Sequence, residues 1–228
     1  MEIIFTPTYL IPAGFEPVPA RDMVPEWYRN LDGYMNEGKK PHKNGGIPTT
    51  IKKCIPVFDA LTTGYILKTY SDVYFRYDEG YPHYTWKDST QIEFHNNSQA
   101  PTYPDRMGDA PYPKWINPWS IRTPKGYSCL FITPVHRELP FKILEGIVDT
   151  DKYFNNVNFP FVLKNQKWEG MVPAGTPIAQ VIPFKRESFK MKLGGPEDLK
   201  KAQNIAASIR TAFFDRYRNT YWSRKEYK

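Results

Sequence analysis

Two stretches decide how this chain is read. The first is Glu145-Gly146-Ile147-Val148-Asp149-Thr150-Asp151-Lys152-Tyr153. The second is Glu169-Gly170-Met171-Val172-Pro173-Ala174-Gly175-Thr176-Pro177-Ile178-Ala179-Gln180-Val181-Ile182-Pro183. In the first, a short apolar run stops at two aspartates that flank a threonine. Asp side chains accept backbone N–H groups in turns, so Asp149 reads as a turn carboxylate, with a catalytic role as the competing reading. In the second, Gly175 makes a turn and Thr176 to Pro183 reads as a strand. Prolines at its ends push that strand toward an edge or a bulge. Upstream, a Pro124-Lys125-Gly126 turn leads into Tyr127-Ser128-Cys129-Leu130-Phe131-Ile132, a mostly apolar run suited to a strand buried on both faces. The expectation is that residues 126–184 close on themselves as a compact clip.

Strand signals continue on either side. Gly64 to Thr69, Asp72 to Arg76 and Asn158 to Phe161-Val162-Leu163 are short β-rich runs, and Thr90 to His95 alternates polar with apolar. Asn96 to Pro113 reads as a long ordered loop. Residues 1–50 read as an extended arm, because Pro7, Pro12, Pro17, Pro19 and Pro25 forbid a continuous helix or central strand. One helical turn is expected at Pro25 to Leu31. The arm's aromatics, Phe5, Tyr9, Phe15, Trp27, Tyr28 and Tyr34, need burial and place it across the body; residues 37–46 read as a polar loop. Near the C-terminus, Leu199, Ala202, Ile205, Ala206, Ile209, Ala212, Phe213 and Tyr217 recur at helical spacing, which predicts an amphipathic helix over 197–218 with a core-facing or subunit-facing stripe. The fold class is mainly β: a distorted barrel body over 51–192, the N-terminal arm, and one C-terminal α-helix over 196–218. It is read as a single domain over 1–228.

Composition narrows the function classes. The chain has 228 residues, 40% hydrophobic and 16% aromatic, which excludes wholesale disorder. No apolar run reaches the roughly 20 residues of a membrane span. Met1 to Pro7 lacks the basic start and long apolar stretch of a secretory leader, so the expected location is cytoplasmic or virion-associated. The net charge is +7, and the whole of that excess falls after Phe184, where twelve lysines and arginines face five acids. That excess reads as a solvated basic face or as a surface for an acidic partner. In a nucleic-acid binder, Tyr217, Tyr221 and Trp222 would be the stacking groups.

Catalytic motifs are sparse. The histidines His42, His83, His95 and His136 are scattered and fit no metal-ligand spacing, so no metal site is expected. Cys129 sits inside an apolar strand as a small core residue. Cys54 precedes the core-like run Ile55-Pro56-Val57-Phe58, which predicts inert burial. Asn117 to Ser128 is richer. It gathers Ser120, Arg122 and Lys125 around the Pro-Lys-Gly turn, either as an anion-binding group or as a plain tight turn.

Gly146-Ile147-Val148-Asp149-Thr150-Asp151 with a following aromatic, and then Ala174-Gly175-Thr176-Pro177-Ile178-Ala179-Gln180-Val181-Ile182, resembles the central signature of the dUTPase and dCTP deaminase superfamily. The resemblance covers residues 126–184. It implies a β-clip barrel that assembles as a trimer. By position Asp149 would activate water or orient a deoxyribose, and Tyr153, displaced by Lys152, would stack on the sugar. Two departures matter. The family's Arg-Ser-Gly phosphate motif is absent, with Ser120 and Arg122 in a loosely similar place but a different arrangement. The glycine-rich closing motif is absent too, since Leu193-Gly194-Gly195 opens a helix instead. The resemblance therefore supports the fold and argues against dUTPase catalysis.

The whole chain is also similar to a family from bacteriophages and some bacteria that has no assigned activity. Pro25-Glu26-Trp27-Tyr28 and Cys54-Ile55-Pro56-Val57-Phe58-Asp59-Ala60-Leu61-Thr62-Thr63-Gly64-Tyr65 carry that similarity.

Three functions follow as expectations. The leading one is a phage-type accessory or structural protein that self-associates, with a further phage protein as a second partner. The next is a nucleotide or small-anion binding protein, or hydrolase, with Asp149 catalytic and Ser120, Arg122, Lys125, Asp151 and Tyr153 binding ligand. It would need no cofactor beyond a divalent cation accompanying a nucleotide. The third is a nucleic-acid binder acting through the basic C-terminal region.

Overall fold

The structure is a computed structural model that describes residues 1–35, 49–87, 90–99, 111–211 and 215–228. The expected polar loop over 37–46 with His42, most of the 96–113 loop, and Ala212 and Phe213 of the helical stripe lie outside the described residues. The chain divides into two compact units. The first comprises Met1–Met23, Gly64–Arg186 and Tyr227; the second comprises Val24–Thr63, Glu187–Glu226 and Lys228.

The first unit is built of strands: β1 (Ile4–Pro7), β2 (Val18–Pro19), β3 (Tyr65–Lys68), β4 (Val73–Asp78), β5 (Tyr81–Trp86), β6 (Ile92–His95), β7 (Tyr112–Trp115), β8 (Trp119–Arg122), β9 (Tyr127–Ile132), β10 (Phe141–Ile143), β11 (Gly146–Val148), β12 (Phe159–Leu163), β13 (Gly170–Val172) and β14 (Pro177–Lys185). They pair antiparallel in sheets of order β11-β9-β14-β3-β2, β10-β12-β7-β6, β13-β4-β5 and β1-β8. The protein is thus mainly β, as its short alternating runs predict. Among the described residues the sheets stay open rather than closing into a barrel. No helix among the described residues is long and apolar enough to cross a membrane.

The prolines of β14 find the expected tolerance in an unexpected place. The strand is central, between β9 and β3, yet its register slips between Pro177 and Ala179, a bulge that accommodates the first proline. Pro183 pairs only with Cys129 of β9, because β3 partners stop at Val181. A missing N–H therefore costs no ladder bond toward β3 there.

The core of this unit is aromatic. Trp115 stacks on Phe161 with ring centroids 5.0 Å apart, and Phe75, Phe141 and Tyr84 close around Phe161. Trp115, Phe141 and Phe161 are fully buried, and each contributes about 1.5–3 kcal/mol through the area it removes from water. The N-terminal aromatics are only partly buried: Tyr28 is enclosed, Phe5 and Phe15 are half-buried, and Tyr9, Trp27 and Tyr34 stay exposed, contrary to the expectation. β1 pairs with β8, Phe5 packs edge-on against Tyr65 and Tyr9 against Tyr70.

The second unit is helical in its regular elements: α1 (Glu26–Asn30), α2 (Ile55–Thr62), α3 (Pro196–Thr211) and α4 (Arg216–Thr220). Three differences from the sequence reading appear here. Ile55-Pro56-Val57-Phe58 opens a helix, because Pro56 falls in the first turn, where its missing N–H is not needed. Cys54 is the N-cap of that helix and is exposed rather than buried. The C-terminal helical stretch is interrupted at Asp215, which lies in the left-handed region at φ +45° and caps α4, so α3, described as far as Thr211, and α4 from Arg216 are separate elements.

Candidate functional site around Asp149

β11 runs antiparallel to β9, with Val148 opposite Cys129. At its end the chain reverses tightly. The Thr150 N–H donates to the Val148 carbonyl, and the N–H groups of Lys152 and Tyr153 both donate to the Asp149 carbonyl, each at 2.9 Å. Thr150 is fully buried and anchors the turn. Its hydroxyl shares a 2.7 Å hydrogen bond with Thr123 and lies 3.4 Å from the Cys129 sulfur. Burial pushes that thiol up to about 11, so it stays protonated.

The two aspartates that flank Thr150 both meet Arg186. β14 pairs with β9 as far as Lys185 opposite Tyr127, and the Arg186 N–H donates to the Gly126 carbonyl at 2.8 Å. The strand thereby delivers the Arg186 guanidinium to the far side of the turn. Its Nη1 donates to the Tyr127 carbonyl at 2.8 Å, to the Ser128 hydroxyl at 3.0 Å and to Asp151 Oδ1 at 2.8 Å. Its Nη2 donates to Asp151 Oδ2, completing a two-pronged carboxylate grip. Asp151 also accepts the Gly126 N–H at 2.8 Å. The Arg186 hydrogen bonds, and then that N–H, hold the Asp151 carboxyl well below the usual carboxylate range. The Arg186 guanidinium is raised in turn, first by Asp151.

The two carboxylates differ in what they have left to offer. The Asp151 side chain is 2% exposed, and both oxygens are occupied. Asp149 is 50% exposed. Its Oδ1 accepts the Ser128 hydroxyl at 2.7 Å and stands 3.2 Å from Arg186 Nη1. A general base needs a reachable lone pair. On this geometry Asp149 is the accessible carboxylate and Asp151 is a structural ion-pair partner.

The other residues singled out from sequence fall at varied distances from this pair. Lys125 is exposed on the turn whose Gly126 N–H binds Asp151, and Tyr153 is 47% exposed just after Asp149. Ser120 and Arg122 lie on β8, opposite Thr6 and Ile4 of β1. Among the described residues no side-chain hydrogen bond or ion pair joins them to either aspartate. The connection is indirect, since the Thr123 N–H donates to the Thr150 carbonyl at 3.3 Å. No group of three or more His, Cys, Asp or Glu side chains is placed to hold a metal ion among the described residues.

Sequence reasoning missed the two most connected groups, Arg186 and Ser128. Arg186 counts in the sequence as one more cation of the basic end. The signal that identifies it is positional: it directly follows a strand whose antiparallel partner starts beside the Pro-Lys-Gly turn. A second anchor lies in the helical unit. Asp59 accepts the Trp222 indole N–H at 3.0 Å and the Lys225 ammonium at 2.6 Å. Trp222, expected as a free stacking group, is thereby held in place, while Tyr217 and Tyr221 remain exposed.

Neither a protein-family model nor a curated protein matches the chain. Among solved structures, it is similar to a mutant dUTPase from phage phi11 of S. aureus, whose description concerns coordination of a structural Mg(II) ion. The two are 12% identical with a TM-score of 0.34, over 72% of this chain and 94% of that one. A likeness this loose carries no argument about what this chain does.

Proposed function

We propose that the protein is a phage-type accessory or structural component that works by self-association through its C-terminal region, rather than by turnover at Asp149. The observation that carries this reading is a row of uncovered apolar side chains. Phe189, Met191 and Leu193 are 90%, 87% and 83% exposed, and the α3 stripe continues the row with Leu199, Ile205 and Ile209 at 60%, 44% and 41%. Scattered exposed apolar residues are ordinary on a monomer, but a run of six within about twenty residues marks an interaction surface. The two family-like segments around Trp27 and Cys54 support the phage setting. Light scattering of the purified chain over a range of concentrations tests the reading. A discrete oligomer is expected, and a monomer throughout overturns it.

A second reading keeps a small-molecule site at Asp149. It is favoured by one observation: this half-exposed carboxylate, fixed on one oxygen by Ser128 and Arg186, is held in a single orientation. Thermal-shift screening against nucleotides, with and without a divalent cation, tests it. A large shift with one nucleotide supports the second reading, and no shift with any removes it.

A further inference from the structure

We propose that residues 189–193 of one copy add as an outer strand to the β6 edge of a second copy, antiparallel, with Met191 beside Phe94 and Lys192 beside Glu93. The proposal rests on the self-association reading above and names the edge that receives the exposed segment.

The segment is patterned as a strand but is not paired as one. Phe189-Lys190-Met191-Lys192-Leu193 alternates apolar with basic residues, the period of a strand with one covered face. It lies between β14 and α3, outside any helix or strand, and all five residues are exposed. Its backbone makes no hydrogen bond among the described residues. Such a segment is completed by the edge of a sheet, which offers a matching row of N–H and C=O groups.

Complementarity selects the edge. The described sheets end at β1, β8, β10, β6, β11, β2, β13 and β5, and of these β6 alone contains a carboxylate. β6 also has the matching alternation, with Ile92 and Phe94 on one face and Glu93 and His95 on the other. Antiparallel pairing sets Leu193 beside Ile92, Met191 beside Phe94, Lys192 beside Glu93 and Lys190 beside His95. Apolar thus meets apolar, and the half-exposed Phe94, whose ring lies 5.7 Å from that of Tyr84, gains cover on its open side. Glu93 holds Lys114 at 3.1 Å through Oε2 and is still 54% exposed, which leaves its other oxygen for Lys192. Five residues span about 17 Å, enough to cover the four of β6.

Other edges fit less well. Lys142 in β10 would oppose the lysines, and Pro82 of β5 and Pro19 of β2 lack an N–H. Beside β11, Glu145 and Asp149 share a face with Ile147, so the charged and apolar partners cannot be matched together. The antiparallel direction follows the sheet that β6 already belongs to and gives the stronger pairing per residue.

The test uses two chains prepared separately in a Cys54→Ser background, one carrying Phe94→Cys and the other Met191→Cys. They are mixed while dilute, concentrated and mildly oxidised; Cys129 is buried and does not compete. Opposed strand positions lie about 4.5–5.5 Å apart between Cα atoms, within reach of a disulfide. A covalent heterodimer should form in the mixture and in neither protein alone. Cross-linking of Met191→Cys with itself means that like segments meet, and overturns the proposal. An oligomer by light scattering that yields no heterodimer overturns this edge and leaves self-association standing, whereas a monomer at every concentration removes both. Independently, Glu93→Lys should raise the concentration of half-dissociation about tenfold, with the fold checked by circular dichroism, and Glu93→Lys/Lys192→Glu should restore it. No restoration, or restoration by Lys190→Glu instead, which parallel pairing would give, overturns the proposed register.

Discussion

Arg186 grips Asp151 through both terminal guanidinium nitrogens, Nη1 and Nη2, while its Nη1 also stands 3.2 Å from Asp149. One arginine at the end of β14 thus holds the turn that follows β11, although the partners are 35 residues apart in sequence. The Asp151 carboxyl is depressed by that grip, so the sign of its linkage to stability is fixed. Its contribution is full above the ordinary aspartate pKa of about 3.9 and is lost progressively as pH falls below that value toward the depressed native one. Urea midpoints measured from pH 7 to pH 3 should fall for the native chain. They should fall less steeply for Asp151→Asn, which has already lost the contribution at pH 7. Parallel profiles for the two proteins would contradict the assignment.

Gly64 makes a second requirement visible. Its φ is +79°, and a Cβ there would lie 2.0 Å from the Val181 carbonyl oxygen, which is backbone and cannot step aside. Gly64→Ala should therefore lower unfolding stability by about 3 kcal/mol, measured by chemical denaturation. Gly126 offers the contrast. It also has positive φ, at +86°, but nothing lies within 4 Å of its would-be Cβ. Gly126→Ala should cost about 1 kcal/mol, from backbone strain alone.

Within the helical unit, Asp59 joins α2 to the C-terminal segment through Trp222 and Lys225. Asp59→Ala should remove a charge-assisted hydrogen bond worth about 1.5–3 kcal/mol. It should also expose the 222–228 tail to faster proteolysis and red-shift the tryptophan emission. An unchanged digestion pattern would show that the tail is held by other contacts.

Much of the β body was legible because its strands announce themselves by period and composition. β9, β12 and β14 fall on the apolar runs that predict them. The Ile92 to His95 strand shows the expected alternation only in part, being buried at Ile92 and open at Glu93 and Phe94. α2 was not legible, since Ile55-Pro56-Val57-Phe58 carries no polar face to reveal a 3.6-residue period and sits amid β-rich neighbours. The break at Asp215 was hidden for the opposite reason: the apolar spacing runs on across it through Phe213 and Tyr217. At the site, Asp149 and Asp151 were legible as a pair, but their separate roles were not. Which carboxylate is consumed depends on Arg186, a contact made by strand pairing and invisible to local sequence.

Asp149→Asn separates the two carboxylates experimentally. Because Asp149 is half exposed, its loss should leave the fold and the oligomer unchanged, with a stability change within about 1 kcal/mol. Arg186→Ala should be worse than either aspartate substitution, because it strands the Asp151 carboxylate, 2% exposed, without its cation. Thermal melts of the three variants side by side check that order. A melting point for Arg186→Ala above that of Asp149→Asn would contradict it.

The central claim is that the uncovered row from Phe189 to Ile209 is an assembly surface. Multi-angle light scattering of the full chain, over a hundredfold range of protein concentration, addresses it most directly. A mass that is a whole multiple of the single chain, reverting toward one chain on dilution or in Ile205→Glu/Ile209→Glu, is the predicted result. A single-chain mass at every concentration contradicts the account.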